Sequence, residues 1–157
     1  MDLSLPDAAA TAAAGARLAA SLPAIVASSL LLGLSGELGS GKTTLARGLL
    51  RALGVEGTIR SPSFTLVEPY ETRRALVHHL DLYRLAAGER DLEALGYRDL
   101  RAQPGLVIVE WPERAGSALG AQDLHAALEH RPDGRILGIS AATDPGREWL
   151  ERYRVLL

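Results

Sequence analysis

Eight consecutive residues, Gly36-Glu37-Leu38-Gly39-Ser40-Gly41-Lys42-Thr43, constrain this chain more than any other stretch. They satisfy G-x-x-x-x-G-K-[ST] at every position, and a second threonine, Thr44, follows. Glycines at this spacing let successive backbone N–H groups turn inward around an anion, because no Cβ blocks the conformations such a concavity needs. The flanking residues agree with that reading. Ser28 to Leu34 (SSLLLGL) is a short apolar run of the kind that forms a buried strand in a parallel sheet. Lys42 to Leu53 carries Leu45, Leu49, Leu50 and Leu53 at helical spacing, and Gly54 stands where a left-handed helix terminator belongs. Strand, glycine-rich loop and helix in that order aim the positive end of the helix dipole at the same anion.

That arrangement is a phosphate cradle, and it predicts a nucleoside triphosphate with Mg2+ as ligand. Gly36, Leu38, Gly39, Ser40, Gly41, Lys42, Thr43 and Thr44 are the expected binding set. The Lys42 ammonium would reach the β- and γ-phosphates, and the Thr43 hydroxyl would ligate the metal. The chain has sixteen arginines but a single lysine, and that lysine lies inside the loop. A compact ammonium suits a crowded cradle where a planar guanidinium does not fit. A guanine-specific N-K-x-D loop would need a second lysine, so exclusion favours ATP.

A chain of 157 residues fits one domain, here read as residues 1–157, and can bury a substantial core. No apolar run approaches the roughly 20 residues of a membrane helix. The start, Met1-Asp2-Leu3-Ser4-Leu5-Pro6-Asp7, places no basic region before an apolar stretch, and a cytoplasmic protein is the expectation. With no cysteine there is neither a disulfide framework nor a thiolate metal site. The net charge of −2 shows no basic stripe, so tight direct binding of nucleic acid by this chain alone is not expected.

The remaining pattern reads as one α/β domain with an antiparallel C-terminal hairpin. Asp7 to about Ala20 reads as an alanine-rich helix capped near Asp7. Phe64 to Tyr70 and Ala75 to Leu82 lean toward strands that pair through a turn at Glu71 to Arg74. Gly88 to Leu100 reads as short helices broken at Gly96, and Gly105 to Val109 as a second buried strand. Leu124 to Glu129 and Arg135 to Ala141 flank the turn Pro132-Asp133-Gly134, although the first arm would also suit a helix. Asp144-Pro145 opens a last helix through about Val155.

A P-loop enzyme also needs an acidic side chain at the end of a neighbouring strand, to hold the metal shell or orient water. Glu110 ends Leu106-Val107-Ile108-Val109, and Asp81 ends Ala75 to Leu80; either also reads as an ordinary surface acid at a strand end. Ser61-Pro62-Ser63-Phe64-Thr65 offers hydroxyls that could sense a γ-phosphate, or is simply a turn into a strand. His78 and His79 alternate across a strand, so only His79 shares a face with Asp81, and a satisfied or exposed histidine pair is favoured over a metal site. For Trp111, packing or a partner contact is favoured over base stacking.

Taken together these segments resemble the TsaE (YjeE) family, small bacterial P-loop ATPases required for threonylcarbamoyladenosine formation in tRNA. The resemblance rests on Gly36 to Thr44, Ser61 to Tyr70 (SPSFTLVEPY), His79 to Leu85 (HLDLYRL) and Val109-Glu110-Trp111-Pro112-Glu113, and covers nearly the whole chain. It implies a P-loop fold with a mixed, mainly parallel central sheet flanked by helices, ATP hydrolysis with Mg2+, and association with the TsaD and TsaB proteins, with tRNA met only through the complex. It further implies that Thr43 and Glu110 stand beside the metal, that Asp81 is a catalytic carboxylate alongside Lys42, and that Ser61, Ser63 and Thr65 form the switch. Ser63 departs from the usual threonine; the hydroxyl survives but β-branched stiffness is lost. The resemblance also brings Thr11 and Arg135 near the base or ribose. No arginine is placed as an obvious finger, so slow intrinsic hydrolysis is expected. The competing expectations are a small P-loop kinase, with Arg84, Arg90 and Arg98 in a lid, and a nucleotide-dependent binding switch with negligible catalysis.

Overall fold

A computed structural model describes residues 1–23, 26–86 and 88–157. Seven strands form one sheet: β1 (Asp2–Leu5), β2 (Ser29–Ser35), β3 (Val67–Glu71), β4 (Leu76–Asp81), β5 (Gly105–Glu110), β6 (Leu124–Arg131) and β7 (Gly134–Ala141). Their spatial order is β1-β7-β6-β2-β5-β4-β3. The four inner strands β6, β2, β5 and β4 run parallel, while β1, β7 and β3 add antiparallel edges. Among the described residues no helix is long and apolar enough to cross a membrane.

Alternation along the buried strands divides the core into two layers. Leu30, Leu32 and Leu34 of β2 point to the face covered by α1 (Ala8–Ser21), α2 (Lys42–Ala52) and α5 (Asp144–Val155). Leu31 of β2, with Val107 and Val109 of β5, points to the other face. That face is covered by α3 (Glu89–Ala94), α4 (Tyr97–Ala102) and a 3-10 segment, Pro112–Leu119. Near-continuous apolar strands such as β5 are what a sheet covered on both sides requires.

The helix boundaries follow local chemistry. Asp7 caps α1, its carboxylate accepting the Ala10 N–H at 2.7 Å. At the end of α2, Gly54 takes φ +93°; its N–H bonds to Arg51 O and that of Val55 to Leu50 O, closing a Schellman motif. Arg74 donates to Ala19 O and Leu22 O at 3.0 and 2.7 Å, satisfying carbonyls at the end of α1.

One expectation changes, and the structure adds elements the pattern left unassigned. Phe64 to Leu66 is turn rather than strand: Leu66 has φ 65°, its N–H closes onto Pro62 O at 2.7 Å, and Phe64 is exposed. A strand the pattern did not indicate, β1, pairs with β7. The 3-10 segment after β5 was likewise unassigned. The hairpin arm that also suited a helix is strand β6.

α1 and α2 touch nearly backbone to backbone. A Cβ on Gly15 would stand 2.0 Å from Leu45 O, and one on Gly48 would stand 2.1 Å from Ala12 O. Gly15→Ala should therefore destabilise the protein by about 1–3 kcal/mol through overpacking. Urea unfolding of the variant against wild type measures this, with Gly54→Ala as a comparison whose added Cβ meets open space and whose cost is backbone strain alone.

Candidate functional site

The site lies where the parallel strands end. In register, Leu34 of β2 and Asp81 of β4 both stand beside Glu110 of β5, so the loop after β2 and both carboxylates meet on one edge of the sheet. Alternation puts His79 on the same face as Asp81 and Glu110, since His79 pairs with Ile108 two residues earlier on β5. This is the face on which α2 packs. A cavity of about 430 Å³ opens there, lined among others by Leu38, Gly39, Gly41, Lys42, Thr43 and Thr44.

The loop has the conformation its glycines allow. Gly36, Gly39 and Gly41 take φ of 137°, 77° and 109°. At Gly36 a Cβ would lie 2.3 Å from Leu128 O and 2.7 Å from Ser40 Oγ, so a side chain there would break the cradle. Ser40 N–H bonds to Glu37 O, whereas its hydroxyl is buried and without a hydrogen-bond partner among the described residues. The first turn of α2 has no side-chain cap. The amides of its first residues therefore have no partner within the helix and face the loop.

Lys42 is 4% exposed. Its Nζ donates to Gly36 O at 2.7 Å and Glu37 O at 2.8 Å, and stands 4.0 Å from the centre of the Trp111 ring. Burial lowers its pKa from the ordinary 10.5, while the charges of Glu110, Glu113 and Asp81 act in the opposite direction. Thr43 Oγ1 donates to Glu110 Oε2 at 3.0 Å. Glu110 Oε1 faces His79 Nε2 at 2.9 Å, with both residues buried. Asp81 accepts the Ser61 hydroxyl and the Tyr83 N–H, the latter at 2.9 Å.

Most of the anticipated residues therefore meet. Lys42, Thr43, Asp81, Glu110, Ser61 and Ser63 share one cavity. Thr65 does not; it lines an adjoining cavity of about 510 Å³ with Arg60, Phe64 and Tyr70. Thr11 and Arg135 come together beside Gly41, Arg135 Nη1 donating to Thr11 Oγ1 at 3.0 Å. Thr11 is fully buried and its hydroxyl also donates to Asp7 O, so it faces Arg135 and the loop rather than open space.

Three residues were not anticipated as site residues. Trp111, for which packing or a partner contact was favoured, has its ring on the Lys42 ammonium and 5.1 Å from that of Tyr83. It holds φ 60°, a left-handed conformation uncommon for a bulky residue and met most often where function constrains the chain. Tyr83 lines the same cavity, and His79 touches Glu110. A short period-two offset from Asp81 was the one available signal for His79.

The fold and the loop together define the class: an α/β P-loop domain. The family model described as "Threonylcarbamoyl adenosine biosynthesis protein TsaE" matches residues 5–137. Two relatives carry the name tRNA threonylcarbamoyladenosine biosynthesis protein TsaE. That of Haemophilus influenzae is 36% identical, over 79% of this chain and 78% of its own. That of Synechocystis is 43% identical, over 73% and 71%. A crystal structure of YdiB from Bacillus subtilis superposes with a TM-score of 0.80 over 99% of this chain and 95% of its own, at 22% identity, and so shares the fold. This chain belongs to the TsaE family.

The lowered pKa of Lys42 makes a stability prediction. Between the lowered folded value and 10.5, the unfolded chain binds a proton that the folded chain does not, so stability from this group rises with pH. Wild type should therefore gain stability relative to Lys42→Met as pH climbs through that window. Urea melts of both proteins at neutral and alkaline pH check the sign.

Proposed function

We propose that this protein binds Mg2+ and ATP in the loop around Lys42, hydrolyses the ATP slowly, and thereby supports N6-threonylcarbamoyladenosine formation in tRNA alongside TsaD and TsaB. One observation carries the reading: an uncapped helix start, the single lysine and a threonine–glutamate pair converge on one cavity. Membership of a family whose relatives carry that biosynthetic name supports the pathway. Partners and tRNA enter through this reading alone.

The residues present suit Mg2+. Its preferred ligands are hard oxygens, and Thr43 Oγ1 and Glu110 Oε2 stand 3.0 Å apart with Asp81 in the same cavity. The ion, when bound, neutralises charge on the transferring phosphate. Thr43 and Glu110 would hold it. Lys42 and the amides of the loop hold the phosphate tail, and Asp81 orients the attacking water. Ser61, bonded to Asp81, couples the Ser61–Thr65 segment to that carboxylate. Arg135, anchored on Thr11 next to Gly41, would serve the sugar or base.

Slow turnover fits the arginines. Arg84 lines the cavity, yet its guanidinium stacks 4.3 Å from the centre of the exposed Phe64 ring. Among the described residues Arg84 is the one arginine lining that cavity, and with its guanidinium on Phe64 the transition-state charge is left for a partner to neutralise. The 510 Å³ cavity beside Ser61 favours a second reading, a small kinase with its acceptor in that space. Of its lid candidates, Arg98 is paired with Glu93 on the exposed side of the helices, and Arg90 is exposed on α3.

Lys42→Ala should weaken ATP binding by about 100-fold or more, the effect of two charge-assisted hydrogen bonds. Glu110→Ala and Asp81→Ala should keep most binding while hydrolysis falls by about 100-fold. Hydrolysis by the wild-type chain should rise on adding purified TsaD and TsaB. Labelled phosphate passing to a metabolite rather than to water would select the kinase.

A further inference from the structure

We infer that His79 is the positioning residue for Glu110, donating a hydrogen bond from Nε2 to Oε1 so that Oε2 alone is presented toward Thr43 and the metal. The inference rests on the proposed metal role of Glu110 and deepens it.

The geometry carries it. Glu110 is 2% exposed and His79 0% exposed, so their contact is shielded from bulk solvent. An ionised carboxylate only accepts, so a 2.9 Å contact to Oε1 requires the proton on Nε2. The other ring nitrogen agrees: His79 Nδ1 is buried with no hydrogen-bond partner among the described residues. A proton there would be a buried donor without an acceptor, which is costlier than an idle lone pair. The geometry thus puts a proton on Nε2, facing Glu110 Oε1. β4 and β5 hold the pair rigidly, because His79 sits in register with Ile108, two residues before Glu110.

The consequence is geometric. Glu110 receives one donor from β4, the neighbouring strand, and one from α2, the Thr43 hydroxyl at 3.0 Å. When Thr43 turns its oxygen to a metal, the bond to Oε1 remains and the carboxylate stays aimed. Without His79 the carboxylate is free to rotate about its last torsion, and the metal must order it. Outer partners of this kind change metal affinity by about 10–100-fold.

The test measures how Mn2+ or Mg2+ tightens ADP binding, by calorimetry, in full-length protein whose fold is verified by circular dichroism. His79→Leu removes the donor. His79→Gln returns an N–H near the position of Nε2, while His79→Asn places its amide near Nδ1, short of Glu110. Metal-free ADP binding should stay within about twofold in all three, because the loop is untouched. The metal concentration giving half-maximal tightening should rise at least about tenfold in Leu and Asn, and return to near wild type in Gln. If His79→Leu does not fold, the Gln and Asn pair decides. Equal behaviour of Gln and Asn, or an unchanged metal requirement in Leu, overturns the inference. Glu110→Ala is the parallel control: if it leaves the metal requirement unchanged, the metal role of Glu110 itself has failed. If it raises that requirement while the His79 variants do not, only the role of His79 has failed.

Discussion

Everything at the site depends on three parallel strands ending level with one another. β2, β5 and β4 pair so that Leu34, Glu110 and Asp81 lie in one row across the sheet. Parallel strands cannot be joined by tight turns, so each connection leaves from this edge and the helices return along the faces. The chain after β2 therefore enters its helix directly above the two carboxylates. A slip of one residue in β5 would turn Glu110 to the opposite face, because side chains alternate. The cost of turning that carboxylate into the apolar layer of Val107 and Val109, away from His79 and Thr43, resists the slip.

On that edge the buried charged groups each have a defined neighbour. Glu110 takes its donors from β4 and α2, Asp81 takes Ser61 and the backbone after β4, and Lys42 takes two loop carbonyls and the face of Trp111. Unpaired charges in such surroundings are costly, and paired ones hold their geometry. The loop is rigid for a different reason. At Gly36 the backbone runs too close to Leu128 for any side chain, and α2 is pinned to α1 through glycines at the contact. Close packing at both places fixes the path of the loop backbone.

Much of this was legible in the sequence because it is written in local patterns. The glycine-rich loop, the helix after it with its Gly54 terminator, the apolar β2 and β5, and the Asp7 cap each follow from neighbours within a few residues. What was illegible depended on distant pairing. Asp2–Leu5 is too short to announce itself and becomes a strand only by pairing with Ile136 and its neighbours on β7. Phe64 to Leu66 carries strand-favouring residues, yet the turn closed by Leu66 onto Pro62 overrides that preference. Trp111 looked like core material, but the left-handed backbone after Glu110 directs its ring to Lys42.

The sequence by itself determined the cradle and its charge: a run of glycines admits backbone conformations other residues resist, and a single lysine leaves no choice of ammonium. It also determined the candidate acids, because a carboxylate at the end of an apolar strand is visible from period and composition alone. Only the tertiary structure decided which groups those acids meet. His79 lies 31 positions from Glu110 and Thr43 lies 67, separations over which no local pattern extends. The bond between them is set by strand register and helix docking, which are properties of the packed core rather than of any one segment.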